Sequence, residues 1–218
     1  MVKKSKKKSK KRTKKISKVS YCSPHINASR KDKTCFDKNA LLEIAKSWNK
    51  SYPKNKIKIN KSDTKNKLWK KISKKMNDKC SNELCWTKQD FVKSYVNNNN
   101  NNLNVNDLKM YFKPERPEKW KTNEREWLDT NNIDHVMERY ELKYDDFKFF
   151  GAVPIDFDLK DNFGKCMLTE LCNINIEKLY KKGIRKIGVV FNLDKHNQNG
   201  SHWISMFCNL KKKLIGYW

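Results

Sequence analysis

The sequence predicts an α+β fold, with helices first and a sheet at the end. Two observations carry that expectation. Apolar residues recur at helical spacing through most of the first 140 residues, and from Phe147 onward short apolar runs alternate with turn residues. A third, the run Asn97–Asn102, separates a small helical module from the rest, because six consecutive asparagines offer nothing to pack.

The elements follow in order. Residues 1–20 hold eleven Lys or Arg, no acid and few apolar side chains, so they cannot offset the entropy of ordering and read as a disordered basic arm, extended to residue 34. In TCFDKNALLEIAKSWNK, Phe36, Leu41, Leu42, Ile44, Ala45 and Trp48 trace a helix face, with Asp37 or Asn39 as cap. KNKLWKKISKKM repeats the pattern through Leu68, Trp69, Ile72 and Met76. CWTKQDFVKSYV does so through Trp86, Phe91, Val92 and Tyr95, with Thr87 as the expected cap. These give a helical module over 35–96 and an Asn-rich linker and bridging segment over 97–119.

From residue 120 the pattern belongs to a second domain. NEREWLDTNNIDHVMERYELKY predicts a helix, either continuous or broken after Leu128, with Trp127, Ile133, Val136, Met137 and Tyr140 on its apolar side. FKFFGAVPIDFD predicts a short strand, KCMLTELCNINIEKLYKKG a helix stopped by Gly183, and IRKIGVVFNLD a buried strand. HWISMFCNL and LIGYW predict a hairpin turning over Lys211–Lys213.

Composition sets bounds on function. The net charge of +26, from 50 Lys+Arg against 24 Asp+Glu, favours anionic partners, although Lys and Asn enrich the whole chain. No apolar run is long enough to cross a bilayer, and the N-terminus lacks the apolar core of a secretory signal, so an intracellular protein with no membrane partner is expected. Seven cysteines without such a signal predict reduced thiols. Cys22, His25, Cys35, Cys80 and Cys85 could be assembled into a zinc site only at loose spacing, so no metal or other cofactor is expected.

One residue stands out chemically. His202 follows Gly200–Ser201, opens a strand and precedes Trp203, which places an imidazole at a sheet edge where it can act as a general base. Such a base needs an orienting partner, and on the return strand that position falls at Trp218 or just past it. Cys166, ahead of the base in the chain and at a predicted helix start, is the alternative nucleophile; Cys172 and Cys208 read as core thiols.

NGSHWISMFCNLKKKLIGYW resembles the His-Trp hairpin of the SUMO-protease and adenovirus-protease superfamily of cysteine peptidases, and EREWLDTNNIDHVMERY resembles its Trp-Leu segment. FFGAVPIDFD and IRKIGVVFNLDKHNQNGSHW are similar to versions from large cytoplasmic DNA viruses. The resemblance covers residues 120–218 and implies an incomplete domain of the papain-like superfamily. It makes His202 the catalytic base, with Trp127 and Trp203 as aromatic residues closing over a Gly-Gly stretch of substrate. The orienting acid, the oxyanion-hole Gln and the nucleophilic Cys of that family have no place before Trp218, so the resemblance implies a fragment without its nucleophile. Its substrate would be a viral polyprotein or a ubiquitin-like protein, in host cytoplasm or virion. The competing expectation, from a different class, is a nucleic-acid-binding or virion-packaging protein using residues 1–20.

Overall fold

A computed structural model describes residues 21–28, 31–98 and 103–218. Residues 1–20, on which the basic arm and its nucleic-acid contact were expected, lie outside the described residues, as does most of the asparagine run.

The first half is helical. It comprises α1 (Lys38–Ser51), α2 (Lys65–Met76), α3 (Glu83–Lys88), α4 (Asp90–Asn98) and α5 (Val105–Met110). Asp37 caps α1, its Oδ1 accepting from the Ala40 N–H at 2.7 Å, and Thr64 caps α2. The helix expected around Trp86 is two helices broken at Gln89. Asn82 caps the first, while Thr87 is buried and donates its hydroxyl to the Leu84 carbonyl at 2.8 Å. A fully buried hydroxyl inside a helix turns back on the preceding turn, which is why Thr87 does not cap.

Phe36 stands at the centre of this core, with the Phe112 ring edge-on at 5.0 Å and the Trp86 ring at 6.2 Å. The core draws in residues beyond 35–96: Cys22 bridges Phe112, and Leu108 and Phe112 are buried. The part of the expected arm after residue 20 is therefore packed, with Ser23 and Thr34 buried against the module. Three disulfides, Cys22–Cys35, Cys80–Cys85 and Cys166–Cys172, correct the expectation of reduced thiols, leaving Cys208 free among the described residues. The fold brings each pair to a Cα separation of 5.3–6.4 Å, which sequence spacing does not reveal. Four of the cysteines considered for zinc are thus already paired.

The second half is a four-stranded sheet in the order β1 (Phe147–Pro154), β2 (Lys186–Asn192), β3 (Trp203–Asn209) and β4 (Leu214–Tyr217). β1 and β2 are parallel, which demands a crossover, and α7 (Thr169–Cys172) with α8 (Ile176–Lys181) supply it. The single helix expected there is broken between Cys172 and Ile176, with Asn175 capping the second piece, while Gly183 at φ +94° ends it as expected. Val153, Leu171, Ile187 and Val189 are buried between sheet and crossover. The β3–β4 hairpin forms as expected, with Asn209 opposite Leu214.

Helix α6 (Thr130–Glu141) covers the sheet edge. Asp134 Oδ1 accepts from the Ala152 N–H at 2.9 Å and Glu141 Oε1 from the Phe149 N–H at 2.8 Å, satisfying donors that an edge strand leaves unpaired. The helix starts after the break expected at Leu128, so Trp127 precedes it, but its apolar side differs from expectation: Val136 and Tyr140 are exposed and the buried residue is Arg139. Arg139 Nε donates to the Phe112 carbonyl at 3.3 Å and Nη1 to the His135 carbonyl at 2.5 Å, tying α6 to the helical core. A buried guanidinium needs such acceptors, and burial holds its pKa below the ordinary value.

Candidate functional site

The segment 122–129 and the start of β3 meet at one end of the sheet. Trp120 Nε1 donates to the Glu126 carbonyl at 2.7 Å, and Asp129 caps α6 by accepting from the Asn132 N–H at 2.8 Å, so the intervening Trp127 and Leu128 are held from both sides. Trp203 Nε1 then donates to the Leu128 carbonyl at 2.9 Å. The Trp127 ring meets the His202 ring edge to face, with centroids 6.4 Å apart and planes at 75°. The structure thus gathers the three residues singled out by sequence, Trp127, His202 and Trp203, although 75 positions separate the first two.

Trp127 and Trp203 line a cleft of about 520 Å³. Trp127, Leu128 and Asp129 form one wall, and Trp203 with Asp194–His196 and Gln198–Gly200 another. His202 is not among the lining residues; its exposed ring reaches the cleft through Trp127.

The loop 193–202 that delivers His202 is built around Asn192. Its Oδ1 accepts from the Asp194 N–H at 3.0 Å and the Ser201 N–H at 3.4 Å, while Gly200 adopts φ +87°. A Cβ at position 200 would lie 2.7 Å from Asn192 Nδ2, so glycine is required both by the backbone and by the space. Ser201 donates its hydroxyl to Asp194 Oδ1 at 2.7 Å. The last rung of the loop is the Leu193 N–H donating to the His202 carbonyl at 2.9 Å.

His196, on the same loop, is fixed by a residue distant in sequence. In the structure its Nδ1 lies 2.8 Å from Asp156 Oδ2 and its N–H donates to Asp156 Oδ1 at 2.9 Å. With the Ile155 N–H donating to the Asp194 carbonyl at 3.2 Å, this clamps the 193–202 loop to the segment after β1. Forty residues separate His196 from Asp156, so no local pattern announces the pair.

The His196 hydrogen bond holds the Asp156 carboxyl below the usual carboxylate range. A group depressed in the folded state stabilises it above its unfolded pKa, and that contribution is lost as pH falls through the folded value. Amides of residues 194–201 should therefore exchange hydrogen faster as pH drops below about 4, after correction for intrinsic exchange. The acid limb should be absent in Asp156→Asn. An unchanged acid limb in that variant would show that the clamp is not what titrates.

The remaining sequence candidates separate. Cys166 is buried, joined to Cys172 and so unavailable as a thiolate. Burial pushes the Cys208 thiol up, against a nucleophilic role. Of the two orienting positions expected, at Trp218 or just past it, the register excludes Trp218 itself. Trp218 exchanges both backbone hydrogen bonds with Ser205, three residues beyond His202, because the ladder advances one residue per strand from the Asn209–Leu214 rung. No described residue of β4 faces His202.

Comparison with known proteins supplies the wider frame. No family model matches the chain. A protein of Acanthamoeba polyphaga mimivirus named as a thiol protease is 32% identical over 212 residues, covering 91% of this chain and 65% of that protein. The chain is homologous to that mimivirus protein along most of its own length. The crystal structure of the ASFV protease is similar with a TM-score of 0.52 at 22% identity, covering 89% of this chain and 61% of that one, which places the mixed α/β architecture in the same fold. The chain thus spans just under two thirds of its mimivirus relative's length. No helix among the described residues is long and apolar enough to cross a membrane.

Proposed function

We propose that this chain carries the base-bearing and substrate-gripping part of a SUMO-protease-like cysteine peptidase that cleaves viral polyprotein at Gly-Gly type sites. The observation that carries this reading is that Trp127 and Trp203 wall one cleft, joined by the Trp203–Leu128 hydrogen bond, while the His202 ring stands behind that wall against Trp127. The homologue named as a thiol protease supports it.

In this reading a peptide lies along the cleft with a Gly-Gly stretch passing Trp127 and Trp203, where a backbone without side chains approaches indole faces closely. His202 removes the proton from a cysteine thiol. The thiolate attacks the peptide carbonyl carbon, the C–N bond breaks, and the imidazolium protonates the leaving amine. Water then releases the acyl group from sulfur. The thiol in this reading is not one of the described cysteines, which are paired or, for Cys208, held as a thiol by burial.

The test needs no turnover. A peptide carrying Gly-Gly should quench tryptophan fluorescence, and its Ala-Ala counterpart should bind at least about tenfold more weakly, a difference of ~1.4 kcal/mol. Equal binding of the two peptides, or binding that survives in Trp127→Ala, would overturn this reading.

A further inference from the structure

The charged groups around the cleft are unequally committed. Glu126 Oε1 lies 3.5 Å from Lys119 Nζ and its Oε2 accepts from Asn123 Nδ2 at 3.1 Å. Asp129 is used as the cap of α6, and Asp194 accepts from Ser201. Each acid of the lining therefore has its own donor.

The cations differ. Lys195 lines the cleft, and its ammonium has no carboxylate partner among the described residues. Its backbone is fixed instead, with its N–H donating to Gln198 Oε1 at 2.8 Å and its carbonyl accepting from the Gln198 N–H at 3.0 Å. His196 beside it spends Nδ1 on Asp156, which fixes the ring and leaves Nε2 as the nitrogen free for a ligand. An ammonium and an oriented imidazole on adjacent residues of a clamped turn form a site for an anion carried by whatever lies in the cleft. The wider field agrees in sign, because the chain carries +26 overall.

We propose that Lys195 and His196 form a carboxylate-recognising rim, which selects peptides bearing an Asp or Glu beside the segment passing Trp127 and Trp203. This specificity rests on the peptide-cleft reading above. Lys195 supplies the charge and His196, its ring fixed through Nδ1 by Asp156, directs Nε2 at the ligand. Asp156 is a positioning residue that acts through His196.

The experiment uses the full chain and a set of Gly-Gly peptides with Glu placed singly at each flanking position, each matched to a Gln control. Binding is read by tryptophan fluorescence at low and high salt. At one position the Glu peptide should bind about tenfold more tightly than its Gln control, as expected for a charge-assisted hydrogen bond. The ratio should shrink at high salt. In Lys195→Gln combined with His196→Gln it should fall to near one, while the preference for Gly-Gly over Ala-Ala persists. Lys195→Arg should restore most of the acid preference, separating charge from loop packing. A Gly-Gly preference with no acid preference at any position overturns the rim and spares the cleft. An acid preference without a Gly-Gly preference supports the rim and overturns the tryptophan grip. No binding by any peptide overturns both.

Discussion

Replacing Phe36 with Ala should lower the unfolding free energy by about 3–5 kcal/mol, the range for removing a fully buried aromatic ring. Phe36 is 0% exposed and its ring meets Trp86, Tyr111 and Phe112. None of these can collapse freely into the space. Cys35 beside Phe36 is tied to Cys22, Asp37 is fixed as the cap of α1, and the Phe112 carbonyl accepts from Arg139. The cavity therefore persists, and the lost transfer free energy is joined by the cost of the void. Urea unfolding followed by far-UV circular dichroism checks this. A loss under about 1 kcal/mol would mean that Phe36 is not the centre of the helical core. The same variant should also loosen β1 measurably. Slack at Phe112 reaches α6 through Arg139, and α6 holds the Phe149 and Ala152 amides through Glu141 and Asp134. Hydrogen exchange at those two amides reads the connection directly.

Trp203→Ala should abolish Gly-Gly peptide binding, weakening it by more than about tenfold, and should also destabilise the sheet end by about 1–3 kcal/mol. The indole has two separable roles. Its N–H donates to the Leu128 carbonyl and so fixes the strand-to-segment contact, while its ring walls the cleft. Trp203→Phe keeps a ring but drops the donor, so it should lose about 1 kcal/mol of stability and bind peptide at an intermediate level. Trp127→Ala gives the contrast: Trp127 is 58% exposed and its indole makes no hydrogen bond among the described residues, so stability should barely change while binding is lost. If Trp127→Ala and Trp203→Ala both leave binding intact, the two indoles are structural packing and the grip assigned to them fails. If Trp203→Ala loses stability but not binding, the hydrogen bond to Leu128 is its whole function.

Much of the fold was legible because its causes are local. Asp37 and Thr64 cap the helices that their neighbours' spacing predicts, and Gly183 stops α8. The β3–β4 hairpin closes over the expected lysine turn. Where local signals were ambiguous the reading slipped. Thr87 resembles a cap in sequence, yet burial turns its hydroxyl onto Leu84; α6 shows apolar Val136 and Tyr140 to solvent while burying Arg139. The difference lies in what packs against each face, which periodicity does not encode.

What the sequence by itself determined is the order of elements and the presence of a Trp-Leu segment and a His-Trp strand. Capping, turn and periodicity signals act over a few residues, and the motifs are contiguous strings. Only the tertiary structure decided that the Trp127 and His202 rings meet, that Asp156 holds His196, that Asn192 organises the loop leading to His202, and that six of the seven cysteines pair. Each of these joins side chains whose distance is set by strand register and crossover packing. Such contacts form only after a chain has closed on itself, and their partners leave no mark on neighbouring residues.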